Sequence, residues 1–150
     1  MPGYGVPAEG GDLLPFSWVE RRLTEARIYL VSTVGADGRP HLMPVWAVWV
    51  GGTVQLSTGT ESRKAKNLHA DPRCSVAAVC ADDAEAVVVE GTAAQVDVTE
   101  LAGFAAAVGA KYGYDMSDML DQPVFAITPD KIIALDETFS AHATRFTFPR

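Results

Sequence analysis

The sequence predicts a mainly β protein of the α+β class, in which six or so strands form a barrel with helices outside it. Segments rich in β-branched and aromatic residues recur along the chain, turns containing Gly or Asp separate them, and only two long segments have apolar residues at helical spacing. The length of 150 residues suits one domain. A content of 48% apolar and 21% charged residues is typical of a globular protein.

The elements follow from local patterns in chain order. Apolar residues from Phe16 to Ala26 share one helical face, which predicts a helix over residues 15–26. A second helix is predicted in TELAGFAAAVGAKYG, with Thr99 as its N-cap. Strands are predicted at RIYLVSTV, HLMPVWAVWV, TVQLST, CSVAAVC, AVVVEGTAAQVDV, VFAITPDKIIALDE and ATRFTF.

Glycines mark two features of these strands. Gly51-Gly52 separates two strand segments and predicts a tight hairpin. Gly91 lies inside a long strand and predicts a bulge or bend. Residues 1–14, rich in Gly and Pro and without a basic segment, are expected to be a flexible lead-in and not a signal peptide. Residues 15–150 are expected to form a single split-barrel domain.

Composition argues against several classes of function. No apolar run approaches the roughly 20 residues of a membrane helix, so no membrane partner is expected. The net charge of -7 opposes binding of a nucleic acid. Cys74 and Cys80 lie in one predicted strand at a spacing that suits neither a metal site nor a disulfide, so buried thiols in a reducing cytoplasm are expected, with no metal. The histidines are isolated from one another and form no catalytic motif, so no catalytic residue is assigned. His41 is the best proton-donor candidate among them.

The segment STGTESRKAKNLHADP concentrates positive charge in an otherwise acidic chain. A helix over about residues 61–68 would place four polar side chains on one arc, with two apolar side chains opposite. The four are Arg63, Lys64, Lys66 and Asn67. The hydroxyls of residues 57–60 precede this helix, whose N-terminus adds free N–H groups and a positive dipole end. The pattern favours a phosphate site, and a solvated basic helix face is the alternative interpretation.

The segment GRPHLMPVWAVW is apolar on both faces, which is typical of a strand interior to an assembly. One face can point into a small barrel, so the other must meet a helix, a ligand or a second subunit. Pro44 cannot donate to a ladder, so it marks either an edge strand or a break whose free backbone groups could bond a flat heterocycle. Trp46 and Trp49 are interpreted as core or interface residues.

Three segments in this order and spacing carry a resemblance: DGRPHLMPVWAVW, LSTGTESRKAKNLHADPR and VVVEGTA. They resemble the pyridoxamine 5'-phosphate oxidase-like split β-barrel family, and more closely its actinobacterial flavin/deazaflavin oxidoreductase branch. The terminal FSAHATRFTF is also similar to endings in that branch, and the likeness covers roughly residues 15–148. The resemblance implies a homodimer of six-stranded split barrels, with two cofactor sites at the interface, each built from both chains.

The resemblance also implies the residues of the cofactor site. The implied phosphate-binding residues are Ser57, Thr58, Gly59, Arg63, Lys64 and Asn67. The implied ring-flanking residues are Pro44, Val45, Trp46 and Ala47. Family members that oxidise pyridoxamine phosphate carry further basic residues toward the C-terminus, where this chain offers only Arg145, so that activity is not expected.

The choice of cofactor lies between FMN and the deazaflavin F420, which share a tricyclic ring, a ribityl chain and a phosphate. F420 continues into an anionic tail, and the surplus cation Lys66 favours F420. The expected function is therefore an F420-dependent oxidoreductase that transfers hydride to a small organic acceptor. The alternatives are an FMN-binding pyridoxamine 5'-phosphate oxidase-like protein and a non-catalytic carrier of a flavin, biliverdin, haem or a fatty-acid-like ligand.

Overall fold

The computed structural model describes residues 13–80, 84–116, 121–138 and 142–149, and within them the predicted mainly β fold is confirmed. The helices are α1 (Phe16–Glu25), α2 (Arg63–Ala70) and α3 (Leu101–Tyr112), and a 3₁₀ turn (Val98–Glu100) leads into α3. The strands are β1 (Tyr29–Val34), β2 (Pro40–Val45), β3 (Val48–Val50), β4 (Thr53–Ser57), β5 (Arg73–Cys80), β6 (Glu85–Gln95), β7 (Val124–Leu135) and β8 (Thr144–Thr147). The described residues thus form eight strands where seven strand segments were predicted, because HLMPVWAVWV divides into β2 and β3, while the predicted terminal strand in ATRFTF is β8.

All eight strands belong to one antiparallel sheet in the order β2-β1-β5-β6-β7-β4-β3, with β8 paired to β7. The edge strands β2 and β3 are joined by Trp46 and Ala47 alone, and the three Cα steps from Val45 to Val48 span at most about 11 Å. A flat sheet of seven strands would hold its edges about 29 Å apart at the usual spacing of about 4.8 Å. The sheet therefore curls into an open half-barrel whose two edges meet at this two-residue link, which we call the edge link.

The hydrophobic core fills the inside of the curl. Side chains alternate between buried and half-buried along β1 and β6, so one face of the sheet carries the core. Val19 and Leu23, on the apolar face of the predicted first helix, are fully buried against that face and confirm the helical pattern. No helix among the described residues is long and apolar enough to cross a membrane.

Both predicted glycine features are confirmed. Gly51 and Gly52 have φ angles of 57° and 79° and form the two-residue turn between β3 and β4. The β6–β7 register shifts between Glu90 and Gly91, and a Cβ on Gly91 would lie 2.2 Å from the Thr128 carbonyl oxygen. Glycine is therefore required at this bulge because the β7 backbone occupies the space of a side chain.

The pairing of β2 and the start of α3 decide two further predictions, those for Pro44 and Thr99. Among the described strands β2 pairs with β1 alone, so Pro44 marks an edge strand and removes no ladder bond from the sheet interior. The prediction of Thr99 as an N-cap is wrong, because its own N–H donates to Asp97 Oδ1 (2.9 Å) at the start of the 3₁₀ turn. Most of the predicted N-terminal lead-in, residues 1–12, lies outside the described residues.

Candidate functional site

A cavity of about 430 Å³ opens where the two edges of the sheet meet, a volume within the usual range for small-molecule sites. Its lining combines the edge link and its approach with the end of β4, helix α3 and the segment after α3. The lining residues are Pro44, Val45, Trp46, Ser57, Phe104, Val108, Tyr114 and Met116. Three of the four predicted ring-flanking residues and the first predicted phosphate-binding residue therefore share one cavity.

Helix α3 and its C-terminus build the apolar wall of this cavity. Phe104 and Val108 are four residues apart on α3, so both side chains lie on one buried face. Gly113, with a φ of 66°, ends the helix in the left-handed conformation that suits glycine. The chain then turns back and brings Tyr114 and the buried Met116 to the cavity.

The hydroxyl of Ser57 is the unexplained polar group of the cavity. Its Oγ is buried and has no hydrogen-bond partner among the described residues, although Ser57 lines the cavity. A buried hydroxyl without a partner destabilises the fold by about 1–3 kcal/mol. A ligand oxygen in the cavity would satisfy this group, so the donor set fits a polar ligand end beside β4.

The turn between β4 and α2 is organised around the helix N-terminus. Helix α2 begins at Arg63, two residues later than predicted, and Ser62 Oγ caps it by accepting from Ala65 N (3.1 Å). Thr58 Oγ1 lies 2.9 Å from Ser62 Oγ, so the Thr58 hydroxyl supports the cap. The cap satisfies one of the free N–H groups of the first turn, and the N–H groups of Arg63 and Lys64 keep no intrahelical acceptor.

The cations of α2 differ in their pairing. Lys66 Nζ pairs with Glu61 Oε2 at 3.0 Å, and both side chains are exposed. Neither Arg63 nor Lys64 has a carboxylate within ion-pair distance among the residues that the structure describes. Arg63 Nη2 lies beside the β1–β2 turn, 3.7 Å from where a Cβ of Gly35 would be. Two uncompensated cations therefore stand at the start of α2.

Asn67 does not lie on the exposed cationic arc, so that part of the prediction is wrong. The side chain is buried together with Ala65 and Leu68, and its Nδ2 donates to Thr33 Oγ1 (2.9 Å) on β1. A buried amide is tolerated on the core side of α2 because the Thr33 hydroxyl, also buried, accepts its hydrogen bond. A cofactor contact by Asn67 stays a prediction.

Ala47 also differs from expectation, since its backbone groups are not free. Ala47 N donates to Tyr112 Oη (3.1 Å), and Ala47 O accepts from Lys111 Nζ (3.0 Å). Trp46 stacks on the Tyr112 ring with a centroid distance of 4.6 Å and an interplanar angle of 6°. Both backbone groups of Ala47 thus have partners within the chain, and a contact of Ala47 with a cofactor ring stays a prediction.

The sequence did not indicate that Lys111 and Tyr112 belong to the site. Both follow the apolar stripe of α3, and no local pattern relates them to a link 64 residues earlier. Burial and, to a smaller extent, the charge of Arg27 together lower the pKa of Lys111 to about 8. A lysine with so low a pKa beside a cavity could have been found only from the fold.

The histidines lie elsewhere. None of them lines the cavity described above. The His69 ring packs edge-on against Phe125 (5.3 Å), and His142 Nδ1 lies 2.6 Å from Asp136 Oδ2. His41 lies half-buried on β2, before the cavity-lining residues of that strand. No catalytic residue is assigned from these positions.

Solved structures share this fold. A conserved hypothetical protein from Mycobacterium tuberculosis is 23% identical, with 88% of this chain and 91% of that chain covered and a TM-score of 0.74. An F420 reductase is 22% identical, with 85% and 98% covered and a TM-score of 0.64. The heme storage protein HutZ from Vibrio cholerae is 19% identical, with 87% and 92% covered and a TM-score of 0.64. At these identities the likeness concerns the fold alone.

The sequence itself places the chain in a family. No curated protein sequence is significantly similar to it. The family model described as pyridoxamine 5'-phosphate oxidase matches residues 19–136, a range that includes the edge link, β4 and α2. Because this match covers well over half of the chain, the protein belongs to the pyridoxamine 5'-phosphate oxidase family.

Proposed function

We propose that this protein is an oxidoreductase that binds the deazaflavin F420 in the 430 Å³ cavity and passes hydride to a small organic acceptor. The observation that carries the proposal is one continuous arrangement. An apolar and aromatic cavity ends at the orphaned Ser57 hydroxyl, and the chain leads from Ser57 through a four-residue turn and the Ser62 cap to the cationic start of α2. Membership of the family and the fold shared with an F420 reductase support a cofactor of this class.

The phosphate would be held at the start of α2. Ser57 supplies a hydroxyl, the first turn of the helix supplies N–H groups, and Arg63 and Lys64 supply charge. Hydrogen bonds between charged partners are about twice as strong as neutral ones. Because neither cation is engaged by a carboxylate of the described residues, binding an anion there breaks no existing ion pair.

The ring would lie against Pro44, Val45 and Trp46, which line the cavity from the edge-strand side. Phe104 and Val108 face it from α3 and exclude water from the reacting face. When bound, the cofactor supplies the hydride chemistry, and the protein supplies binding and orientation.

F420 is favoured over FMN because of Lys66. Its pair with Glu61 is exposed to solvent, and such pairs contribute only about 0–1 kcal/mol. The carboxylates of an F420 tail can therefore replace Glu61 at small cost, whereas FMN ends at its phosphate. FMN is the alternative cofactor, and a carrier without turnover is the alternative role.

We also propose that the protein works as a homodimer. The outward side of the sheet carries an apolar row across four strands: Leu30, Ala77, Val88 and Ile133, each paired with the next. Leu42 and Val79, on the same side, are 57% and 48% exposed in the single chain. A second copy covering this outer row would bury it and place its own residues near the cavity mouth at the edge link.

Calorimetric titration with F420 and with FMN, at low salt and at 1 M salt, tests the proposal. We expect tighter binding of F420 at low salt and a smaller difference at 1 M, where the screening length falls to about 3 Å. Lys66→Ala should weaken binding of long-tailed F420 and leave FMN nearly unchanged. Tighter binding of FMN at every salt concentration would replace F420 by FMN, and tight binding without turnover of any acceptor would favour the carrier.

A further inference from the structure

The edge link is held by the C-terminal end of α3. Lys111 Nζ donates to the Ala47 carbonyl (3.0 Å), to the Leu23 carbonyl (3.2 Å) and to Tyr29 Oη (2.9 Å). These acceptors belong to the edge link, to α1 and to β1. An ammonium has three N–H donors, so all of them are used, and one side chain ties three separate elements to α3.

Tyr112 completes the contact with the edge link. Its hydroxyl accepts from Ala47 N and lies 2.9 Å from the Ala47 carbonyl, while its ring stacks on Trp46. Lys111 Nζ in turn lies 4.7 Å and 5.5 Å from the ring centroids of Tyr29 and Tyr112. The indole of Trp46, which lines the cavity, is therefore positioned through Tyr112 and Lys111.

We propose that Lys111 is a positioning residue for the cofactor ring: its ammonium fixes the edge link, and loss of its proton loosens Trp46 and weakens cofactor binding. The effect on binding rests on the proposed function, and the effect on the edge link does not. Lys111 also borders a second cavity of about 310 Å³, lined mainly by apolar side chains of α3 and β3. This cavity gives a released amine room to move away from Ala47.

The direction of the pH effect follows from the groups around Lys111. Below a pKa of about 8 the ammonium donates to all three oxygens, and above it the amine has two N–H donors, so one of the three oxygens loses its hydrogen bond from Lys111. Arg27 opposes the charged form, Cys80 on β5 favours it, and Val48 and Trp49 of β3 carry no charge. Burial raises the pKa of both Tyr29 and Tyr112, so these phenols stay protonated while Lys111 titrates.

The edge link can be followed without any cofactor by ¹⁹F NMR of protein labelled with 5-fluorotryptophan. Trp46→Phe assigns the Trp46 resonance, and Trp18 serves as an internal reference. We expect the Trp46 resonance to titrate with a midpoint near pH 8, the pKa of Lys111. In Lys111→Arg, whose side chain stays charged, it should remain at the low-pH position throughout. A Trp46 resonance that does not titrate, or that titrates equally in Lys111→Arg, overturns the proposal.

Binding of FMN and F420 between pH 7 and 9.5 tests the second half, because the ligand phosphate stays ionised in this range. We expect the dissociation constant of the wild type to rise on the order of tenfold across pH 8. It should stay flat in Lys111→Arg, while Lys131→Met should keep the wild-type profile. A pH-independent affinity in the wild type overturns the coupling to binding. If neither cofactor binds at any pH while Trp46 still titrates through Lys111, the proposed function fails and the positioning of the edge link stands.

Discussion

Removing a cation from the start of α2 should separate cofactor binding from folding. We expect Arg63→Ala and Lys64→Ala each to weaken binding of FMN and of F420, because the phosphate is common to both. One charge-assisted hydrogen bond contributes roughly 1.5–3 kcal/mol, which corresponds to about ten- to hundredfold in affinity. Neither side chain pairs with a carboxylate of the described residues, so stability should change by no more than about 0.5 kcal/mol.

The assay pairs calorimetric titration with urea denaturation of the same preparations. Lys66→Ala is the matched control for folding, because Lys66 lies on the same helix and its exposed pair with Glu61 contributes little. Equal affinity of both variants and the wild type would refute the phosphate site and return α2 to a solvated basic face. A large loss of stability with the loss of binding would instead mean that these cations hold the turn.

Three further predictions concern the rest of the chain. Gly91→Ala should lower the free energy of unfolding by about 1–3 kcal/mol or more, and with it the urea midpoint, since its Cβ would lie 2.2 Å from Thr128 O; an unchanged midpoint would contradict the bulge geometry. Light scattering should give a dimer of 16.0 kDa chains that Val79→Lys splits and that Val98→Lys, at a more exposed valine away from the outer row, leaves intact; a monomeric wild type would contradict the homodimer. Burial raises the pKa of the Cys74 thiol to about 12, so alkylation at pH 8 should be on the order of a thousandfold slower in the native protein than in urea, measured by peptide mass spectrometry; equal rates would show an accessible thiolate.

Much of the fold could be predicted because its signals are local. The Gly51-Gly52 turn, the Gly91 bulge and the apolar face of α1 each depend on residues near one another in the chain. The division of HLMPVWAVWV into two edge strands could not be predicted. The apolar pattern continues through Trp46 and Ala47, and nothing in it marks the passage from one sheet edge to the other.

The residues of the candidate site likewise fall into those that local sequence predicts and those that depend on distant partners. The hydroxyl-rich turn and the cations of α2 are contiguous in sequence, and the structure places them together at one helix start. Asn67 was misplaced because its burial depends on Thr33, a partner 34 residues away. The role of Lys111 could not be predicted, because its partner is the backbone carbonyl of Ala47. Every residue has such a carbonyl, so the residue type at position 47 gives no sign of the contact.

The edge link explains why the cavity, the aromatic stack and the buried lysine occur together. Trp46 and Ala47 lie outside both flanking strands, so no ladder satisfies the backbone groups of Ala47. Lys111 and Tyr112 satisfy them instead, and this requires the last turn of α3 to pack beside the edge link. The packing brings Phe104 and Val108 of the same helix opposite Pro44 and Val45, which creates the apolar cavity. Where the sheet ladder is interrupted at the edge link, polar side chains must therefore satisfy the backbone groups. The same side chains lie close enough to the cavity to influence how it binds a ligand.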